Sequence, residues 1–394
     1  MANTFGIYIH IPFCKSKCDY CDFYSLAGQE EQMDRYQRAL LTHLRSFGPR
    51  MKGWVADTVY FGGGTPSYYG EKRLREILSL IQRLFTVSRQ AEITVECNPD
   101  SVDWRSMARL RRSGVNRISL GVQSSDDETL RRLGRVHTWQ QVKDAVAACR
   151  KAGLDNISLD LIYGLPDQTM EQWENTLADA LVLAPRHISC YGLKLEEGTP
   201  LYDRQESLNL PDGDLQADMY LYAVELLTQN GYQQYEISNF AQPGYESRHN
   251  LKYWMLEEYA GFGPGAYSDF GGVRYGYTRD LDGYIAGRLD LAESEHISPQ
   301  EREMEYIMLR LRTARGIDIR EFENRFRQRF TPLAAILESC AAHGLARQTE
   351  TGWCLTPRGF LVSNRIIGNL QEELNREKAQ RLARAAQGDY RVVE

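Results

Sequence analysis

Cys14, Cys18 and Cys21 stand in a Cys-x₃-Cys-x₂-Cys loop directly behind an alternating run, Phe5-Gly-Ile-Tyr-Ile-His-Ile11. That spacing brings three thiolates around one metal centre and supplies no nearby fourth, because position 23 is Phe23. A [4Fe–4S] cluster is usually held by four cysteines, so three ligands leave one iron open to a small molecule. A zinc knuckle completed by a histidine such as His10 satisfies the same spacing. Elsewhere, Gly62-Gly-Gly-Thr-Pro66 would let a backbone approach a ligand and present N–H groups to a carboxylate; it reads equally as a tight strand-to-helix turn. Glu96 and Asp160 could hold an ammonium and a ribose hydroxyl, or be solvated loop carboxylates. Gln123 and Arg135 say less, since polar loop residues are common. Cys97, Cys149, Cys190, Cys340 and Cys354 read as buried small hydrophobes.

The elements that must position these residues show in the periodicity. Six β-rich runs begin at Phe5, Thr58, Glu92, Arg117, Asn156 and His187, each followed by a helical pattern with three- and four-residue steps. Six β-α units in succession predict a parallel sheet with right-handed crossovers, and an α/β class. Curled, they make a partial barrel; flat, a doubly wound sheet. The chemistry lies at the C-terminal strand ends in either case. There the unusual residues fall: the cysteine loop, the glycine run, Glu96-Cys-Asn-Pro99, Gly121-Val-Gln123, and Asp160 with Tyr163-Gly164. Five consecutive strand ends point to one shared site.

The bulk properties restrict the class. The chain has 394 residues, 42% hydrophobic and 25% charged, as in an ordinary globular protein. A net charge of −6 gives no electrostatic reason to expect nucleic acid. Eight cysteines are too few and too scattered for a disulfide scaffold, so a reducing, cytoplasmic setting is expected. No signal peptide or membrane span is expected, and any membrane contact would be peripheral.

Taken together, Tyr8-Ile-His-Ile-Pro-Phe-Cys14, the cysteine loop, Gly62-Gly-Gly-Thr-Pro66, Glu96-Cys-Asn-Pro99, Gly121-Val-Gln123 and Asp160-Leu-Ile-Tyr-Gly-Leu-Pro166 resemble the radical S-adenosylmethionine superfamily. More closely, they resemble the oxygen-independent coproporphyrinogen III oxidase family. The resemblance implies a partial (β/α)6 barrel and a [4Fe–4S] cluster on Cys14, Cys18 and Cys21. The cluster's open iron would chelate S-adenosylmethionine, and reductive cleavage would release a 5′-deoxyadenosyl radical. Tyr8, Gly63, Gly64, Thr65 and Glu96 would contact S-adenosylmethionine; Tyr20, Gln123, Arg135 and Asp160 match positions that contact it or a second copy.

Two departures from the oxidases matter. They carry a fourth cysteine where this chain has Phe23, and a long N-terminal extension where only 13 residues (14 − 1) precede Cys14. Both departures match the haem-chaperone branch, as does His249-Asn-Leu-Lys-Tyr-Trp254 ahead of Gly261-Phe-Gly-Pro-Gly265. The branch implies His249 as an axial haem ligand, with Tyr253 and Trp254 packing on the porphyrin. It also implies transfer of haem to acceptor haemoproteins, membrane-bound respiratory enzymes among them. The runner-up is oxidative decarboxylation of coproporphyrinogen III to protoporphyrinogen IX.

We expect residues 1–200 to form the barrel core, 201–295 a family-specific extension carrying the haem motif, and 296–394 a winged-helix-like domain. The last rests on a capped helix at Ser298-Pro-Gln-Glu301, helices over 319–330 and 332–343, a hairpin turning near Gly352, and a final helix over 360–370. The 332–343 helix contains neither lysine nor arginine, which argues against DNA recognition and favours a lid or docking module. From Asn375 onward the chain reads as a solvated helix or fray.

Overall fold

The computed structural model describes residues 3–386. Six parallel strands run in sequence: β1 (Asn3–Ile11), β2 (Trp54–Gly63), β3 (Thr86–Cys97), β4 (Arg117–Gln123), β5 (Ile157–Tyr163) and β6 (His187–Gly192). Between them lie α1 (Met33–Phe47), α2 (Glu71–Leu84), α3 (Trp104–Ser113), α4 (Asp127–Arg132), α5 (Trp139–Lys151) and α6 (Met170–Val182). Every neighbouring pair from β1 to β6 is parallel, and spatial order follows chain order. A doubly wound sheet would reverse order at a switch point. This sheet does not, and it is the partial barrel of the two expected shapes.

Local chemistry sets where the helices begin. Thr138 and Thr169 each accept a hydrogen bond from the third helical N–H, while Gln141 and Gln172 reach back to close capping boxes. Asp103 caps α3, and Gly114 ends it at φ 113°.

Further chain widens the sheet on both sides, beyond the helix α7 (Gly213–Gln229). The strand β7 (Asn239–Ala241) pairs antiparallel with β6. Past the helix α8 (Arg248–Met255), β8 (Tyr259–Phe262) lies parallel to the outer edge of β1. An antiparallel meander of β9 (Tyr267–Phe270), β10 (Val273–Tyr277) and β11 (Leu291–His296) continues from it.

The two faces of the barrel strands differ in chemistry. Ile7, Ile9, Ile11, Val59, Phe61, Val95, Ile118, Leu120, Leu159, Leu161 and Ile188 pack against the helices, all fully buried. The opposite face carries Tyr8 in register with Tyr60, Tyr60 with Thr94, Thr94 with Arg117, Glu96 with Ser119, and Asp160 with Ser189. Parallel strands are normally apolar on both faces. A polar inner face must satisfy itself by hydrogen bonds or bind something polar.

A second compact unit comprises 297–386 together with 234–237 and 253–256. It contains α9 (Pro299–Arg310), opened by the expected Ser298/Glu301 capping box, and β12 (Ile317–Asp318). The helices α10 (Ile319–Phe326) and α11 (Thr331–Ala342) follow, then β13 (Ala346–Gln348) and β14 (Gly352–Leu355). The three strands form a sheet with β14 central, giving the winged-helix-like arrangement.

Some details here depart from expectation. The second helix stops at Phe326, because Arg327 turns left-handed at φ 54°. The hairpin does turn next to Gly352, as expected; Gly352 itself opens β14 and pairs with Asp318 of β12. A helix α12 (Ser363–Ala386) runs past the expected end at 370, and beyond Asn375 the helix is the one of the two expected states, solvated helix or fray, that is found; residues 387–394 lie outside the described residues. Cys97, Cys149, Cys190 and Cys354 are buried as expected; Cys340 is only partly so.

Candidate cofactor site

The C-terminal strand ends surround a cavity of about 520 Å³. Cys14, Cys18 and Cys21 line it together with Tyr20, Gly63, Gly64, Thr65, Glu96, Gln123, Arg135 and Asp160. Of the residues expected at the cofactor, Tyr8 alone stands behind the wall: its ring stacks on Tyr60 and its hydroxyl meets His10 Nδ1 at 3.1 Å.

Around the thiols, Thr65 donates its hydroxyl to Cys14 Sγ at 3.4 Å, and the Arg135 guanidinium lies 3.5 Å from Cys18 Sγ. Burial pushes the Cys14 and Cys21 thiols up, so a bound metal's positive charge is what would hold them as thiolates. His10 does not complete a zinc site. Its ring nitrogens are engaged by the Tyr8 hydroxyl and, at 2.8 Å, by the Tyr24 carbonyl. Among the described residues no three His, Cys, Asp or Glu side chains converge on a single ion. A thiol-only donor set opening on a large polar cavity fits a [4Fe–4S] cluster with one iron free.

The glycine run serves packing rather than presentation of N–H groups. Gly64 N–H already donates to the Ile11 carbonyl and Thr65 N–H to the Phe13 carbonyl, both at 2.8 Å. The Gly63 N–H donates to Glu96 Oε2 at 3.1 Å. A Cβ on Gly63, at φ 109°, would sit 2.5 Å from the His10 ring, and one on Gly64 would sit 2.8 Å from the Phe13 carbonyl oxygen.

The two carboxylates are half-buried in the cavity wall and held by hydrogen bonds, not free on loops. Glu96 accepts from Tyr60 at 2.7 Å as well as from Gly63. Burial, reinforced by Asp160, pushes its carboxyl up to about 7. Asp160 accepts from Ser119 at 2.9 Å, Ser158 at 3.1 Å and Ser189 at 2.8 Å, and burial raises it too. Arg135 donates to Asn98 Oδ1 at 2.8 Å and to the Gly121 carbonyl. Gln123 holds a left-handed φ of 67° next to a register shift in β4, a bulge that turns its side chain toward the cavity.

Sequence reasoning passed over Tyr60, Asn98, Arg117, Ser119, Ser189 and Asn250, which also line the cavity. For all but Asn250, which sits on α8, the signal is period-2 polarity along successive strands. Phe23, at the position of the absent thiol, is 69% exposed on the cavity rim.

The His249-Asn-Leu-Lys-Tyr-Trp254 segment is placed unexpectedly. His249 is only 1% exposed, its Nδ1 lies 2.7 Å from Thr58 Oγ1, and its ring stacks on Tyr60 at 5.0 Å. Burial and the nearby Lys252 cation pull its imidazole down to about 3, so it is neutral. Asn250 lines the cavity; Tyr253 and Trp254 are half-buried and belong to the second unit.

Two family models match the chain: "Radical SAM superfamily" over residues 8–180 and "HemN C-terminal domain" over 297–362. Relatives named "Heme chaperone HemW" include that of Bacillus subtilis, 35% identical over 93% of this chain and 99% of its own length. That of Lactococcus lactis is 39% identical over 91% and 95%, and that of Escherichia coli 36% over 92% and 97%. The Escherichia coli coproporphyrinogen III oxidase HemN shares the fold, with a TM-score of 0.81 at 23% identity over 94% of this chain and 90% of that one. The chain thus belongs to the radical SAM superfamily and, within its HemN-like family, to the HemW branch.

Proposed function

We propose that this protein is a haem chaperone, which binds haem and passes it to acceptor haemoproteins while carrying a [4Fe–4S] cluster and S-adenosylmethionine. The observation that carries the reading is the extent of likeness to proteins named as haem chaperones: 35–39% identity over more than nine-tenths of this chain in the Bacillus subtilis and Lactococcus lactis relatives. Phe23 in place of a fourth thiol and the His249–Trp254 motif favour the same branch. Residues 201–295 would then be the extension that distinguishes it. Membrane-bound respiratory enzymes are the proposed recipients and the cytoplasm the proposed compartment. No described helix is long and apolar enough to cross a membrane.

In this reading Cys14, Cys18 and Cys21 hold the cluster, and a reduced cluster with S-adenosylmethionine at its open iron supplies one-electron cleavage of the sulfonium. Glu96 takes the ammonium, a role suited to a carboxylate whose hydrogen-bond donors, the Tyr60 hydroxyl and the Gly63 N–H, are both neutral. Asp160, fixed by three serine hydroxyls, takes a ribose hydroxyl. Tyr20, Gln123 and Arg135 complete the wall, with Gly63, Gly64 and Thr65 beneath and Tyr8 behind. For haem, His249 is the proposed axial ligand, with Tyr253 and Trp254 as packing residues. The buried berth of His249 sets a condition: its ring must leave Thr58 and Tyr60 to meet an iron.

A haem titration of anaerobically reconstituted protein, wild type beside His249→Ala, tests this. Saturable binding with a Soret shift in the wild type is expected, lost or altered in the variant. Absence of saturable binding in the wild type, with protoporphyrinogen and 5′-deoxyadenosine formed from coproporphyrinogen III, would establish the oxidase instead.

A further inference from the structure

His249 occupies a berth built from three strands. The first turn of α8 is fixed by Glu92 of β3, whose carboxylate accepts from the Arg248 N–H at 3.0 Å and the His249 N–H at 3.1 Å. One turn on, Lys252, 2% exposed, pairs with Asp57 of β2 and with Glu257, each at 2.9 Å. Space for the ring comes from β1. A Cβ on Gly6 would lie 2.9 Å from Thr58 Oγ1, 3.0 Å from Lys252 Cδ and 3.1 Å from His249 Cε1.

The berth leads somewhere. The His249 ring stacks on Tyr60 at an interplanar angle of 23°, and the Tyr60 hydroxyl donates to Glu96. The other oxygen of Glu96 is taken by the Gly63 N–H. A tyrosine braced on one face keeps its hydroxyl in one place, and that hydroxyl sets where the carboxylate points. A histidine that merely filled a hole in the barrel would not need to contact the residue that orients a cavity-lining acid.

We propose that His249 is a positioning residue for the S-adenosylmethionine site, bracing Tyr60 so that its hydroxyl holds the Glu96 carboxylate toward the cavity. The proposal rests on the reading that Glu96 takes the ammonium. It gives the motif histidine work in the haem-free protein, separate from any contact with iron. When the ring leaves its berth, the S-adenosylmethionine site loses its brace.

The test uses the holoprotein with its cluster reconstituted, S-adenosylmethionine as the probe, and two readouts: the dissociation constant by equilibrium dialysis, and the change in the reduced cluster's electron paramagnetic resonance spectrum on binding. Glu96→Gln and Tyr60→Phe are each expected to weaken binding about tenfold, the loss of one interaction with a charged group. His249→Ala should weaken it similarly, and His249→Phe, which refills the berth with a flat ring, should restore most of the loss. The double variant His249→Ala, Glu96→Gln should be no weaker than Glu96→Gln alone, because His249 acts through that carboxylate. A purely structural histidine would give additive losses instead, and that overturns the proposal. Unchanged affinity in both His249 variants, with Glu96→Gln weakened, overturns it as well. Unchanged affinity in Glu96→Gln removes the reading of Glu96 on which it rests. Should His249→Ala not fold, His249→Phe and Tyr60→Phe still decide: full affinity in Tyr60→Phe is incompatible with the brace.

Discussion

Tyr60 and Glu96 face each other across adjacent strands, hydroxyl to carboxylate at 2.7 Å, a bond that favours the ionised carboxyl and only partly offsets the rise that burial imposes on it. The groups that act on this carboxyl are the Tyr60 hydroxyl, the Gly63 N–H, Asp160 and Arg117. An ammonium binds the ionised form. With the carboxyl at about 7, its ionised fraction falls as pH drops below neutrality. S-adenosylmethionine should therefore bind roughly fivefold more weakly at pH 6 than at pH 7, a range in which an α-amino group stays mostly cationic. The Glu96→Gln variant should bind weakly and with a flat profile. A wild-type affinity independent of pH over this range would show that Glu96 does not meet the ammonium.

Thr65 offers a cleaner handle on the cluster than the thiols themselves. Replacing Cys14, Cys18 or Cys21 should remove the cluster outright. Thr65→Val removes only the hydroxyl that donates to Cys14 Sγ. Hydrogen bonds to cluster sulfurs raise the reduction potential by stabilising the extra negative charge. The variant should keep full iron content but become harder to reduce in a redox titration followed by paramagnetic resonance. An unchanged potential at full iron loading would remove Thr65 from the cluster's surroundings.

The C-terminal end of the barrel strands was legible because its residues are unusual in type: cysteines, glycines and acids at strand ends. The six strands were legible because their outward-facing residues, such as Ile7, Ile9 and Ile11, repeat every second position. What stayed hidden depends on contacts across long sequence separations. Nothing near His249 reveals that Glu92, Thr58 and Gly6 will enclose it, since a short helical spacing does not say where the helix docks. Likewise, the glycine run looked like a ligand cradle, but its N–H groups are consumed by Ile11, Phe13 and Glu96. The polar inner face was in plain view at Thr58, Thr94, Ser119 and Ser189. It was missed because hydroxyl residues are unremarkable in a strand until register brings them side by side.

Gly261 is the most sterically confined position of the glycine-rich segment after the His249–Trp254 motif. A Cβ there would lie 2.1 Å from the Tyr267 carbonyl oxygen, a backbone atom that cannot turn aside. Gly261 pairs with Tyr8, and its N–H donates to Ser268 at 2.9 Å, so the strand cannot shift without breaking the β1–β8 pairing. Gly261→Ala should cost more than about 3 kcal/mol or prevent soluble expression. Gly213→Ala is the control, because nothing lies within 4 Å of its Cβ position. Its stability should match wild type within about 1 kcal/mol. Comparable denaturation midpoints for the two variants would contradict the tight fit.

Acid should unfold this protein sooner than its carboxylates alone would dictate. His10, His43, His137, His187 and His249 are all buried, and burial depresses each; His10, His43 and His137 fall to about 4. Unfolded imidazoles take up protons near 6.5, whereas the folded ones do not until about 4. The unfolded state therefore binds more protons in this window. The stability due to neutral burial is complete above about 6.5 and drains away as pH falls toward 4. Glu96 and Asp160, both raised by burial, act in the opposite sense, but they are two groups against five. Denaturation midpoints at pH 7.5 and pH 5.5 should differ by several kcal/mol in extrapolated stability, roughly 1 kcal/mol per histidine. His43 isolates the effect, since it does not line the cofactor cavity and bonds Tyr284 at 2.9 Å and Tyr277 at 3.0 Å. His43→Gln should be less stable than wild type at pH 7.5, having lost two fitted hydrogen bonds. It should also lose about 1 kcal/mol less on going to pH 5.5, because one proton-accepting imidazole is gone. An equal acid-induced loss in variant and wild type would mean that His43 is protonated in the folded state.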